Sequence, residues 1–153
     1  MELDLICRTY ADLPGMRING GTIPSNVIVT TEKPDITLCF PEATPPKMVL
    51  IELTVPFEPN IRKARERKEV RYAQLNRDII SRNYESHLIC FEVGSRGVVT
   101  KDNKQQIKTI FHHVGSRKCK DVTLTMSKLA LIGSYVIYNT RGEPQWTDMA
   151  LLH

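Results

Sequence analysis

The sequence predicts an α/β fold with a mixed central sheet, on three observations. Three short runs rich in β-branched and apolar residues precede Pro56, separated by turn formers. A stripe with spacings of three and four then runs from about Asn60 to Arg82, the signature of an amphipathic helix. A further apolar run, HLICFEV, follows at once, and helical patterns follow that. The order βββαβ and then helices calls for a layered arrangement, a mixed sheet flanked by helices.

Taken in order, residues 1–25 are rich in turn formers (Pro14 and Gly15, Asn19 to Gly21, Pro24) and are expected to be partly loop. NVIVTT, 26–31, reads as the first strand and DITLCF, 35–40, as the second. PEATPP, 41–46, is a loop, because proline has no N–H to give a ladder. Residues 48–55, MVLIELTV, form the third strand, nearly continuous in apolar character and so buried on both faces. Pro56 stops it. Pro59 and Asn60 open the long helix, with proline at a tolerated early position. Residues 87–93 are the fourth strand, ending in the tight-turning GSRG of Gly94 to Gly97. Thr100 is placed to cap a helix whose Ile107, Ile110, Phe111 and Val114 share a face. Residues 123–139, with LALIGSYVIY, predict a last helix, apolar on most sides and expected to pack inward.

A chain of 153 residues fits one domain, 1–153, with room for a real core. At 41% hydrophobic and 25% charged its composition is that of ordinary soluble proteins. No apolar run approaches the roughly 20 residues of a membrane helix, and the acidic opening MELD lacks the basic start of a secretory signal. An intracellular protein is expected. Cys7, Cys39, Cys90 and Cys119 are scattered without a C-x-x-C pair, which points away from structural zinc and toward free thiols in a reducing compartment. The net charge of +4 is too mild to predict nucleic-acid binding alone. Its clustering is more pointed: Arg62, Lys63, Arg65, Arg67, Lys68 and Arg71 crowd together with only Glu66 and Glu69 among them. This is either a solvated face with i,i+4 ion pairs or a surface that tracks phosphates.

The third strand carries an anomaly. Glu52 sits inside the apolar run, where a carboxylate is costly unless a cation meets it. If the strands flanking PEATPP form a hairpin with Phe40 opposite Lys47, the same register sets Asp35 opposite Glu52 and Lys33 opposite Thr54. Facing carboxylates repel and need a cation between them, and a divalent metal would serve. Glu52 and Thr54 share one face, while Ile36, Leu38, Val49 and Ile51 form the opposite, apolar one. In the helix, Ile61, Ala64, Lys68, Tyr72, Leu75 and Ile79 form a single stripe in which Lys68 is out of place. Either its stem packs on the sheet and its ammonium snorkels out, or the ammonium is delivered to Glu52. Tyr72 reads as core.

KPD at 33–35 and IELT at 51–54 resemble the bipartite motif of the PD-(D/E)XK nuclease superfamily. ADLPG, TIPSNVIVTTEKPDI, LIELTVPFE, RKEVRY, FEVGSRG and SKLALIGSYVIY resemble, in that order, a group of such domains encoded by retroelements and by their stand-alone relatives in animal genomes. The similarity runs from about Ala11 to Trp146. It implies a restriction-endonuclease-like core with the site on the hairpin, and a helix ahead of the first strand, relative to which this chain is expected to be truncated. It also implies Asp35 and Glu52 as metal-binding carboxylates, the main-chain carbonyl of Leu53 as a further ligand, and Mg²⁺ as the ion, replaceable by Mn²⁺.

The chain departs from the family at Thr54, which stands where the motif's lysine is usual. A hydroxyl cannot supply that positive charge. Some nucleases of the superfamily bring the lysine from the neighbouring helix, which makes Lys68 the candidate here and Lys33 its rival. The resemblance thus implies a magnesium-dependent endonuclease, a hydrolase of phosphodiester bonds in nucleic acid, with DNA as substrate and the nucleus as its place. Lys33, Arg65, Arg71 and Arg96 are candidate phosphate contacts, although Arg96 is more readily read as half of a structural ion pair. Glu58 is a candidate supporting acid or a complement to the helix start. His112 and His113 lack partners at ligand spacing and read as surface residues. A homodimer would bring the two sites that cutting both strands requires. The alternative is a catalytically inactive nucleic-acid-binding or scaffolding domain, which Thr54 favours.

Overall fold

The hairpin forms in the expected register. In the computed structural model, which describes residues 7–11, 23, 25–113 and 119–142, strand β2 (Ile36–Phe40) pairs antiparallel with β3 (Lys47–Thr54). Phe40 faces Lys47, Leu38 faces Val49 and Ile36 faces Ile51. The proline-rich loop between them sets this register because it offers few N–H groups that could slide into a ladder. From Met48 to Glu52 every residue of β3 is buried, the two-faced burial its apolar run predicts.

The four strands lie in the order β1-β2-β3-β4, with β1 at Arg8–Ala11 and β4 at Glu85–Glu92. β1 is antiparallel to β2, Arg8 facing Cys39. Between β3 and β4 runs the helix α1 (Ile61–Ser81), preceded by a single 3-10 turn at Glu58–Asn60. Such a crossover is what parallel neighbours require. Lys47 and Glu85, the first residues of β3 and β4, are ion-paired at 3.3 Å, so both strands start from one edge and the sheet is mixed. Asn83 ends the helix run, its φ of 65° in the left-handed region that asparagine tolerates.

The first strand lies elsewhere than expected. Residues 26–31 are a turn and irregular chain, not a strand. Val27 and Ile28, adjacent in sequence, are both buried in the core, whereas Val29 is 81% exposed. Two consecutive inward residues break the alternation of a strand. Arg82 fixes the segment by donating to the Val27 carbonyl at 2.8 Å. The order βββαβ holds because β1 takes the first place.

The chain divides into two compact units, Met1–Thr54 with Arg62–Phe91, and Val55–Ile61 with Glu92–His153. In the first, Tyr72, Leu75 and Ile79 of α1 pack with Met48 and Leu50 of β3 and Cys39 of β2, so α1 covers the face that also bears Glu52. Cys7, Cys39 and Cys90 are free thiols, and burial pushes the Cys39 thiol up. The second unit holds α2 (Lys101–His113) and α3 (Cys119–Thr140). Thr100 caps α2, its Oγ1 accepting from the Asn103 N–H at 3.2 Å.

Helix α3 departs from expectation. Ala130 is buried, but Leu124, Leu129, Leu131, Ile132, Tyr135 and Tyr138 are exposed, so the helix does not pack inward on most sides. Apolar content made the helix, but burial needs a covering element, and α2 covers only one side of it. The side chains of His112 and His113, and residues 12–22 and 143–153, lie outside the described residues, as does most of the segment expected to be loop.

Candidate functional site

Glu52 is 1% exposed, on the α1-facing side of β3. A carboxylate there needs hydrogen bonds and an opposite charge, and both are present. Its Oε1 accepts from the main-chain N–H of Asp35 at 3.0 Å. Its Oε2 lies 2.5 Å from Lys68 Nζ. The cation that answers Glu52 in this structure is the Lys68 ammonium of α1, the second of the two readings its place in the stripe left open. Lys68 keeps 26% of its side chain exposed, so its charge is shared between the carboxylate and solvent.

Asp35 is the second acid. The β2–β3 ladder ends at the pair of Ile36 and Ile51, and the chain bends at Asp35. Asp35 and Glu52 are therefore not ladder partners, and the ladder does not reach Lys33 or Thr54. Side chains take over instead. Asp35 Oδ2 accepts from the Leu53 N–H at 2.7 Å, while the Asp35 N–H donates to Glu52. Each acid thus holds the other's stretch of backbone. Asp35 itself is exposed, so the pair presents one buried and one solvent-facing carboxylate.

The segment leading to Asp35 is stitched to α1 by two neighbours of Lys68. The Tyr72 hydroxyl donates to the Lys33 carbonyl at 3.1 Å, and Arg71 pairs with Glu32 at 3.0 Å. Arg71 also lies over the Tyr72 ring, 5.2 Å from its centroid. Burial first, and then the Glu52 carboxylate beside it, hold the Tyr72 hydroxyl protonated far above a tyrosine's usual range. Tyr72 is core, as its place in the stripe predicts, but its hydroxyl positions the approach to Asp35. That role was not read from the sequence, although the i,i+4 spacing from Lys68 is a signal for it. Tyr72→Phe is expected to lower stability by about 1 kcal/mol, leaving the Lys33 carbonyl one donor short, as a shift in the urea midpoint would record.

The remaining candidates are dispersed. Thr54 ends β3, partly buried, on the Glu52 side by alternation. Lys33 is exposed, with its carbonyl engaged by Tyr72. Arg65 is partly buried on α1, and Arg62 makes the i,i+4 pair with Glu66 at 2.9 Å. In the second unit Arg96 donates from its main-chain N–H and its Nε to Glu58, at 2.8 and 2.9 Å, and lies over the Phe57 ring. This is the structural ion pair, and Arg96 is what Glu58 supports. Burial works against the Glu58 charge, but those bonds hold its carboxyl below the usual range. Gly94 packs so closely on Glu58 that an added Cβ would come within 2.7 Å of Oε1. Glu92 is a second fully buried carboxylate in an apolar strand, and its sequence context shows the same anomaly as that of Glu52.

As a metal site, the two acids and the Leu53 carbonyl offer hard oxygen donors. Mg²⁺ is commonly held by one or two carboxylates with waters completing its shell, so the donor chemistry fits. Among the described residues no group of three or more His, Cys, Asp or Glu side chains is placed to hold an ion, so such a site depends on the carbonyl and on water. No helix among them is long and apolar enough to cross a membrane. No family model, curated protein or solved structure matches the chain.

Proposed function

We propose that this chain is a PD-(D/E)XK-type nuclease of the retroelement-associated kind, hydrolysing phosphodiester bonds of DNA, with the nucleus as its place of action. The observation that carries the reading is the contact of Lys68 with Glu52. The departure at Thr54 raised the question of where the motif's positive charge comes from, and an ammonium of the adjoining helix lies against the motif's glutamate.

Asp35, Glu52 and the Leu53 carbonyl would hold Mg²⁺, or Mn²⁺ in its place. The ion, when bound, polarises the scissile phosphate and lowers the pKa of an attacking water. The chain's own groups do the rest. Asp35, facing solvent, meets the substrate side, and the Leu53 N–H fixes its orientation. Glu52 holds Lys68 over the sheet, so the ammonium is fixed before substrate arrives and can stabilise the negative charge that grows on phosphorus-bound oxygens. The Thr54 hydroxyl can orient a phosphate oxygen or a water but carries no charge. Lys33 is the phosphate contact we favour, since Arg71 and Arg96 are already committed to Glu32 and Glu58.

The test is a nicking assay on supercoiled plasmid. Wild type is expected to nick with Mg²⁺ and to stop when the ion is chelated, and Asp35→Asn to be slower by at least about 100-fold. Absence of cleavage with either Mg²⁺ or Mn²⁺ removes the enzyme reading. DNA binding that persists in that case, and weakens as salt rises, would establish the non-catalytic binding domain in its place.

A further inference from the structure

We propose that the exposed face of α3 joins two copies of this chain, α3 against α3 and antiparallel. Leu124, Leu129, Leu131, Ile132, Tyr135 and Tyr138 are between 50% and 67% exposed. At 100° per residue they fall within one half of the helix circumference, and buried Ala130 lies outside it. Together they expose roughly 800 Å², more than a soluble monomer usually leaves contiguous and close to what each partner gives to an interface of standard size. A membrane does not fit this face as well. Lys128 stands exposed in its midst.

The spacing identifies a helix as the partner. Leu124, Lys128, Leu131, Tyr135 and Tyr138 alternate by four and three residues, the seam by which two helices pack along their length. Charge then selects the direction. A parallel pair would set Lys128 beside its own counterpart, and like charges repel there. An antiparallel pair with its two-fold axis between Leu131 and Ile132 sets Lys128 opposite Tyr135 of the second copy, twice per dimer. An ammonium over a tyrosine ring is attractive. The surface is therefore self-complementary in one orientation, as a two-fold interface must be. This pairing is independent of any chemistry at Asp35 and Glu52.

Sedimentation equilibrium on the full chain, up to about 100 µM, tests it. Wild type is expected at twice the 17.5 kDa chain mass. Leu131→Glu with Ile132→Glu should sediment as a monomer with an unchanged far-UV spectrum. Tyr135→Leu, which keeps the apolar surface but removes the ring, should weaken the dimer about fivefold. If the double variant loses helix, Tyr135→Leu alone decides. A wild type that stays monomeric overturns the proposal, as does a dimer that both variants leave unchanged. A monomer that instead floats with phosphatidylserine vesicles would assign the face to a membrane surface. Each of these outcomes is separable from loss of nicking.

Discussion

Glu52→Gln is expected to reduce plasmid nicking by at least about 1,000-fold while the protein remains folded. Glutamine keeps the shape of the side chain, and its carbonyl oxygen can still accept from the Asp35 N–H. What it loses is the charge. Its amide nitrogen would face the Lys68 ammonium, so donor meets donor where Oε2 now lies 2.5 Å away. Lys68, 26% exposed, can then swing toward water, which limits the damage to stability. A cost of about 1–3 kcal/mol follows for the lost charge-assisted bond, less than for breaking a fully buried pair. The activity loss is larger because the neutral amide is a poor ligand for a hard cation and no longer holds the lysine. Both quantities can be measured on one preparation, by initial nicking rate and by urea midpoint. A Gln variant that nicks within tenfold of wild type would remove Glu52 from the chemistry.

Lys68→Met should reduce the rate by about 100- to 1,000-fold, the range for removing one preorganised stabiliser of transition-state charge. Methionine preserves most of the length of the stem, so the change isolates the ammonium. It also leaves Glu52 buried without its ammonium partner, so urea stability should fall by about 1–3 kcal/mol. The decisive variant adds Thr54→Lys to Lys68→Met. Position 54 lies two residues after Glu52 on the same face of β3, and there the motif usually keeps its lysine. If the site needs a positive charge beside the carboxylates, whichever element supplies it, the double variant should regain at least tenfold of the lost rate and part of the lost stability. A folded double variant with no recovery would show that Lys68 serves only to neutralise Glu52.

The parts of this site that could be read in the sequence are those with a local or periodic cause. The hairpin register was legible because the PEATPP loop leaves one natural pairing, and the two-residue alternation then assigns Glu52 to a face. The helix stripe was legible because Lys68 interrupts a clean apolar repeat, and α1 presents that stripe to the same face of β3. Other features have non-local causes. RTYA forms β1 only because β2 offers it an edge, while the more strand-like NVIVTT inserts Val27 and Ile28 side by side into the core. The bend at Asp35 replaces a backbone ladder with side-chain bonds, and no pattern of apolar residues encodes that. The exposure of α3 is likewise a matter of what stands beside it. Arg71 and Arg96 find Glu32 and Glu58 across 39 and 38 residues of chain, partners that no local spacing names.

The crossed bonds between Asp35, Glu52 and Leu53 have a consequence for any mutational dissection. Asp35 fixes the amide that follows Glu52, and Glu52 fixes the amide of Asp35 itself. Truncating either acid frees the peptide plane on which the other depends, so each single change already inflicts much of the damage of both. Effects of the two should fall well short of additive, with a coupling term in the double-mutant cycle as large as the smaller single effect. The pair is one indivisible module, and no share of its work belongs to either carboxylate alone.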